Sequence, residues 1–367
     1  MRNRPQRQRV VVIGGGYAGT MAALRLAPHA CVTLVDPGDR FTERVRLHEL
    51  AAGRPDVTHP RSRMLRGTGI DHVPARATEL DPAGRAVHTD DGRVLLYDRL
   101  IYALGSHTDL RGAGERAFSA ESAAELRKRL LDGPGALAVV GGGLTGIETA
   151  AELAEAYPGW RVRLLTSGEV GGGLSDRGRA HVRTALRGLG VRVEEGRHVT
   201  DADAVDADAV VWATALRPAS DLAVRAGLET DPDTGRLRVD AALRSVGHPE
   251  IYGAGDAAGA RSAAAGALRM SCAAALPTGS YVASAIIAES RGAEPAPLKF
   301  SFALQCVSLG RRDGLVQFVR ADDAPRERVL TGRAAARFKE QVVRSTVRFL
   351  ALAARRPGLV PLIPGVG

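Results

Sequence analysis

Residues Val11–Ala27 read VVIGGGYAGTMAALRLA, and residues Ala138–Ala154 read AVVGGGLTGIETAAELA. Eight of the seventeen positions agree, including a G-x-G-x-x-G run in each copy. Each run follows an apolar stretch (Arg9–Ile13, Leu137–Val140) and opens an amphipathic one, which predicts a strand–turn–helix unit. That context separates a dinucleotide-binding turn from an incidental cluster of glycines. Gly14 and Gly141 make the tight turn, Gly16 and Gly143 let the backbone approach a pyrophosphate, and Gly19 and Gly146 bring helix against strand. The helix starts, at Tyr17-Ala18 and Leu144-Thr145, turn free N–H groups and the positive end of the helix dipole toward the anion.

Downstream of each run the two copies diverge. Strand Cys31–Val35 ends in Asp36, 22 residues after Gly14, where an acid accepts hydrogen bonds from ribose hydroxyls. Strand Arg161–Leu165 ends instead in Thr166-Ser167-Gly168. Two different nucleotides are therefore expected. The missing acid removes the repulsion of a 2′-phosphate, yet no arginine follows directly: Arg163 lies in the strand, Arg177 and Arg179 a loop away. The second nucleotide is left as NADH or NADPH.

The rest of the chain supports a nested arrangement. Gly92–Gly105 reads as a hairpin arm leading into a strand, and Phe118–Leu131 as a helix capped at Ser119 or Ser122. Asp208–Ala215 and Pro249–Asp256 read as buried strands, and a helix is expected over Thr278–Glu289 after Pro277. Phe300–Phe318 alternates like strand, and Arg333–Ala354 is one long helix. The expected fold class is α/β: two nested Rossmann-like dinucleotide-binding domains with three-layer ββα build, plus a small C-terminal α+β region. The boundaries are 1–115 with 241–295 for the first domain, 116–240 for the second and 296–367 for the remainder.

Composition narrows the function. The 367 residues are 45% hydrophobic and 25% charged, with 43 glycines, which is globular. The formal charge is +9, but Arg326–Arg356 alone carries nine basic residues against Glu327 and Glu340. The body is near neutral, which argues against nucleic acid as a partner. Only Lys128, Lys299 and Lys339 are lysines among 50 basic residues. Four apolar residues before the first glycines are too few for a signal peptide, and no run of 18 apolar residues occurs, so a cytoplasmic protein is expected. Cys31, Cys272 and Cys306 form no CxxC, and the nine histidines show no ligand spacing, so no metal is expected.

With Ala103-Leu104-Gly105 (ALG), Ala213–Ala215 (ATA), Tyr252–Asp256 (YGAGD) and Leu47–Gly53 (LHELAAG), the two fingerprints resemble the two-dinucleotide-binding-domain flavoproteins of the pyridine nucleotide-disulphide oxidoreductase superfamily. Within it the chain looks most like type II NADH dehydrogenases and apoptosis-inducing-factor-like members. The resemblance implies FAD in the first domain, with Asp36 on the adenosine ribose, Ala77 beside adenine and Asp256 on the ribityl chain, which Gly255 lets approach. Ala103 and Gly105 would line the same cofactor. It implies NADH or NADPH across Gly141–Gly146, near Thr166 and Ala213, with Glu148 close to the junction of the two. Glu148 either stabilises its helix N-terminus or acts catalytically, orienting the ring or relaying a proton.

The activity implied is hydride transfer from NAD(P)H to flavin, then passage of two electrons to a small-molecule acceptor such as a quinone. The alternatives are a small-molecule tailoring flavoenzyme, a ferredoxin-type reductase, and an apoptosis-inducing-factor-like NAD(P)H-responsive binding flavoprotein. One departure matters: Asp36–Pro60 contains no cysteine, so the disulfide relay of the superfamily's reductases is not expected. Cys272 reads as a small buried residue or a thiol beside the flavin, and Cys31 and Cys306 as core residues.

On the C-terminal helix, Arg333, Arg337, Arg344, Arg348 and Arg355 share one stripe, and Phe338, Val342, Phe349 and Leu352 an opposing arc. In the resembled dehydrogenases such a region rests on the membrane. Docking of the apolar arc on the chain's own surface is the favoured reading, and peripheral contact with the inner face of the cell membrane the other. The sequence does not set an oligomeric state.

Overall fold

The computed structural model describes residues 7–54, 57–214 and 216–362. Strand Arg9–Ile13 runs through the middle of a six-stranded sheet, paired in parallel with Cys31–Val35 and Arg99–Tyr102. Its Val10–Ile13 side chains are fully buried, because parallel strands covered on both faces carry continuous apolar runs. Asp71–Val73 and His248–Gly253 lie outside these strands, with Arg244–Ser245 at one edge. The second sheet repeats the plan: Ala136–Val140 sits between Arg161–Leu165 and Ala209–Trp212, flanked by Arg192–Glu194 and Ala117–Phe118. The fold is thus the mixed α/β, doubly Rossmann-like architecture expected.

The repetition extends to single hydrogen bonds. Gly14 N–H donates to the Val35 carbonyl at 2.9 Å and Gly141 N–H to that of Leu165 at 2.8 Å. Asp36 N–H meets the Val73 carbonyl (3.1 Å) as Thr166 N–H meets that of Glu194 (3.0 Å). Ala103 N–H meets Ile13 (2.9 Å) as Ala213 N–H meets Val140 (2.8 Å). A Cβ on Gly19 would lie 1.9 Å from the Gly14 carbonyl oxygen, and one on Gly146 1.9 Å from that of Gly141, so both helices need glycine there. Between the sheets, Ser106–Thr108 pairs antiparallel with Leu216–Pro218. The Ala215 end of the ATA motif lies outside the described residues.

Three elements differ from the sequence expectation. The helix expected after Pro277 spans Cys272–Ser290 and takes the proline in its second turn. Ala274, Ala275 and Leu276 are buried in the first core, and this burial outweighs proline's cost of about 3 kcal/mol. Here a Cβ on Gly279 would lie 2.1 Å from the Ala18 carbonyl oxygen, so the helix touches helix Tyr17–Leu26 backbone to backbone. Secondly, Phe118 belongs to a short strand on Val210–Val211, and the helix begins only at Ala123.

The third difference concerns helix Gly332–Arg355, which follows an antiparallel sheet of Leu304–Ser308, Gly314–Val319 and Pro325–Thr331. All five stripe arginines are exposed. The buried face, however, is Ala335, Val343, Thr346, Leu350 and Ala353, while Phe338 is 41% exposed and Val342, Phe349 and Leu352 are half-buried. The helix packs near its start on the small sheet, with Gly314 against Ala336, and further on against the core around helix Tyr17–Leu26. Those two supports set the face. No helix among the described residues is long and apolar enough to cross a membrane.

Candidate functional site

A cavity of about 1110 Å³ runs from the first fingerprint to the second and ends beneath helix Gly332–Arg355. Of the residues expected around the first nucleotide, Gly14, Gly16, Tyr17, Ala18 and Asp36 line it at one end. Ala77, Ala103, Gly105, Gly255 and Asp256 line it further along. Gly19 stands behind, as its helix-packing role requires. A Cβ built on Gly16 meets nothing within 4 Å, so the turn presents an open cradle at a helix N-terminus. The Tyr17 hydroxyl and His48 Nε2 are buried without a partner among the described residues, and both residues line this cavity. The cradle, the helix N-terminus and the strand-end carboxylates fit a flavin dinucleotide.

Asp36 does more than end a strand. Its carboxylate accepts from Gly15 N–H (2.7 Å), Gly38 N–H (3.0 Å) and Arg61 Nη2 (2.9 Å). Arg61 is 3% exposed and also donates to the Gly15 carbonyl at 3.0 Å, so it locks the glycine turn to the acid. Sequence reading missed Arg61, which follows no motif. Asp256 accepts a hydrogen bond from Ser106 Oγ at 2.7 Å, which orients it toward the cavity from its strand end.

From the second copy, Leu144, Thr145, Glu148 and Ala213 line the same cavity, whereas Gly141, Gly143, Gly146 and Thr166 lie beyond it. Gly143 and Thr145 are exposed, and a Cβ on Gly143 meets nothing within 4 Å. The second glycine turn therefore faces outward, and its helix joins the cavity at Leu144, Thr145 and Glu148.

Glu148 is buried, and its partners come from the C-terminal region. Oε1 accepts from Ser308 N–H at 2.8 Å and from Lys339 Nζ at 2.5 Å. Burial alone would raise its carboxyl, but Lys339, the His48 ring and these hydrogen bonds hold it below the ordinary carboxylate value. Burial likewise opposes the charge on Lys339, and Glu148 more than restores it. Both members of the pair are thus ionised. His48 is half-buried beside them with its Nε2 shut off from solvent, and burial depresses its basicity, which leaves it neutral near pH 7.

Cys272 and Cys306 also line the cavity near Lys339, whose Nζ lies 3.3 Å from the Cys306 carbonyl oxygen. This corrects the reading of Cys306 as a core residue. Cys31 is corrected too, being exposed at the start of its strand. Cys272 is half-buried as the first residue of its helix. A usable signal for Lys339 was present in composition: it is one of three lysines in a chain that uses arginine almost everywhere.

Comparison with known proteins supplies the family. The family model for pyridine nucleotide-disulphide oxidoreductases matches residues 8–276. A NADH dehydrogenase-like protein, MT1860, of Mycobacterium tuberculosis is 32% identical over 325 residues, covering 76% of this chain and 80% of its own. The demethylphylloquinone reductase NdbB of Synechocystis is 28% identical over 353 residues, covering 84% and 86%. Among solved structures, NDH2 from Plasmodium falciparum in complex with NADH superposes with a TM-score of 0.79 at 16% identity, over 96% of this chain and 99% of that one. The chain belongs to the pyridine nucleotide-disulphide oxidoreductase family and is an oxidoreductase that uses FAD and NAD(P)H.

Proposed function

We propose that this chain oxidises NAD(P)H and delivers the electrons to a quinone held in the part of the cavity beneath helix Gly332–Arg355. FAD, when bound, supplies the two-electron chemistry that links the reductant to the acceptor. The first turn and its helix N-terminus bind the flavin's pyrophosphate at Gly14–Ala18, with Asp36, Gly255 and Asp256 along its length. The second turn, Gly141–Gly146, binds the nicotinamide dinucleotide in the outward-opening groove, with Thr166 at the ribose end.

The observation that carries the quinone reading is the buried Lys339–Glu148 pair in the cavity wall. Reduction of a quinone to a quinol consumes two protons, so the acceptor end needs a proton source shielded from bulk water. Lys339 Nζ holds a proton there, and Glu148 Oε1 keeps it charged. Val342, Val343 and Leu304 give the neighbouring wall an apolar surface suited to a quinone ring and its tail. The related Synechocystis protein is named a demethylphylloquinone reductase, which supports the same reading.

Anaerobic NAD(P)H oxidation by the purified flavoprotein tests it. Addition of menadione or a short-chain ubiquinone should raise turnover at least tenfold over the acceptor-free rate. No stimulation by either quinone, with FAD bound and ferricyanide reduced normally, would overturn the assignment. Asp256→Ala should in addition weaken FAD retention, since it removes a charge-assisted hydrogen bond worth roughly 1.5–3 kcal/mol.

A further inference from the structure

The repeated hydrogen bonds make the two nucleotide sites superposable residue by residue, and this reveals what stands where the second acid is missing. Thr166 occupies the position of Asp36 and Glu194 that of Val73, because each pair closes the same strand-end hydrogen bond. Beyond that bond the sites differ. In the first, the Asp36 carbonyl is met by His72 Nε2 at 3.1 Å. In the second, the Thr166 carbonyl accepts from Arg197 N–H at 2.8 Å, which pins Arg197 beside the strand end where the ribose 2′ position is read.

The surrounding charges leave Arg197 free. Glu194 is held by Arg192 (3.2 Å) and Arg163 (3.7 Å). Glu195 accepts from Val170 N–H (2.8 Å) and Arg183 (2.7 Å), and Glu169 pairs with Arg179 (3.3 Å). Arg197 is exposed, and its guanidinium makes no ion pair or hydrogen bond among the described residues. These three carboxylates are each neutralised, and Arg197 keeps an unpaired guanidinium on a backbone bonded to a threonine rather than to an acid. A guanidinium pairs bidentately with a phosphate and gains little from a ribose hydroxyl.

We propose that Arg197 binds the 2′-phosphate of NADPH and makes NADPH the preferred reductant of this enzyme. The inference rests on the second fingerprint being the NAD(P)H groove, but not on the identity of the electron acceptor.

The test uses the FAD-loaded enzyme with ferricyanide as acceptor, so that quinone binding plays no part. The wild type should show kcat/KM for NADPH at least tenfold above that for NADH. Adenosine 2′,5′-bisphosphate should compete more strongly than 5′-AMP. Arg197→Ala should lower kcat/KM for NADPH about 10- to 100-fold more than for NADH, the weight of one charge-assisted phosphate contact, and bring the two inhibitors level. Arg197→Lys should recover part of the loss, since it keeps the charge without the fork. A wild-type preference for NADH, or equal losses for both reductants in Arg197→Ala, would overturn the assignment to Arg197 alone. Failure of both adenosine nucleotides to compete would overturn the placement of the groove as well.

Discussion

Lys339 Nζ stands 2.5 Å from Glu148 Oε1, although 191 residues separate the two in sequence. Glu148 comes from the helix that follows the second glycine turn, and Lys339 from the C-terminal helix. The pair therefore ties the helix of the second glycine turn to the wall proposed for the acceptor. A buried ion pair is poor evidence of stability in itself, but removing one partner leaves a charge without compensation.

Lys339→Met should accordingly destabilise the fold by about 3–5 kcal/mol, and the double variant Lys339→Met/Glu148→Gln should recover much of that loss. Denaturant titration of both proteins checks this. The single variant should also lose quinone turnover tenfold or more while ferricyanide reduction, which takes up no proton, falls much less. Equal losses with the two acceptors would remove the proton-holding role.

The thiols give a second expectation. Burial pushes the Cys272 thiol up and the Cys306 thiol to about 11, so both are protonated at neutral pH and poor nucleophiles. Replacing Cys31, Cys272 and Cys306 together by alanine should leave NAD(P)H-to-acceptor turnover within a few-fold. A hundredfold loss with FAD still bound would place Cys272 in the chemistry.

His48 predicts a pH dependence of stability. Its basicity in the folded chain lies below the ordinary 6.5, because burial disfavours the imidazolium. The unfolded chain thus binds a proton first as pH falls, and stability drops from 6.5 downward until the folded ring also protonates. The depressed Glu148 carboxyl acts in the same direction only below its ordinary 4.5. Between pH 6.5 and 4.5 the Tm of the wild type should therefore fall more steeply than that of His48→Gln. Parallel slopes would show that His48 takes up its proton equally in the folded and the unfolded chain.

The features readable from sequence are those built within one short segment. The glycine turns, Asp36 and the Thr166 position follow from spacing inside a strand–turn–helix unit, because the backbone path there depends on residues a few places apart. The partners that complete the site were hidden, since each arrives through a tertiary contact. Arg61 reaches back to Asp36 and Gly15 from a short helix with no motif, and Lys339 reaches Glu148 from the end of the chain. Phe338 shows the other limit. Helical periodicity marked it as apolar-face, but the helix has two supports, and their placement turned the buried face toward Val343 and Leu350.

That rotation sharpens the question of what the C-terminal helix does. Its five stripe arginines face outward, Arg344 pairing with Glu340 at 2.6 Å, while Val343, Leu350 and Ala353 are buried against the body. Near an anionic bilayer each arginine would contribute about 1 kcal/mol, an attraction that fades with salt. Stable interfacial binding also needs an apolar face, and the one large apolar side chain exposed on this helix is Phe338. The helix is therefore expected to serve the fold. Ending the chain at Gly332 should lower the Tm, because it uncovers the surface under Val343 and Leu350, worth roughly 1.5–3 kcal/mol each, and strands the Glu148 charge. Co-sedimentation of the intact protein with anionic liposomes should be negligible at low salt. Clear binding that is released near 0.5 M salt, together with an unchanged Tm after truncation, would instead assign the helix to a membrane surface.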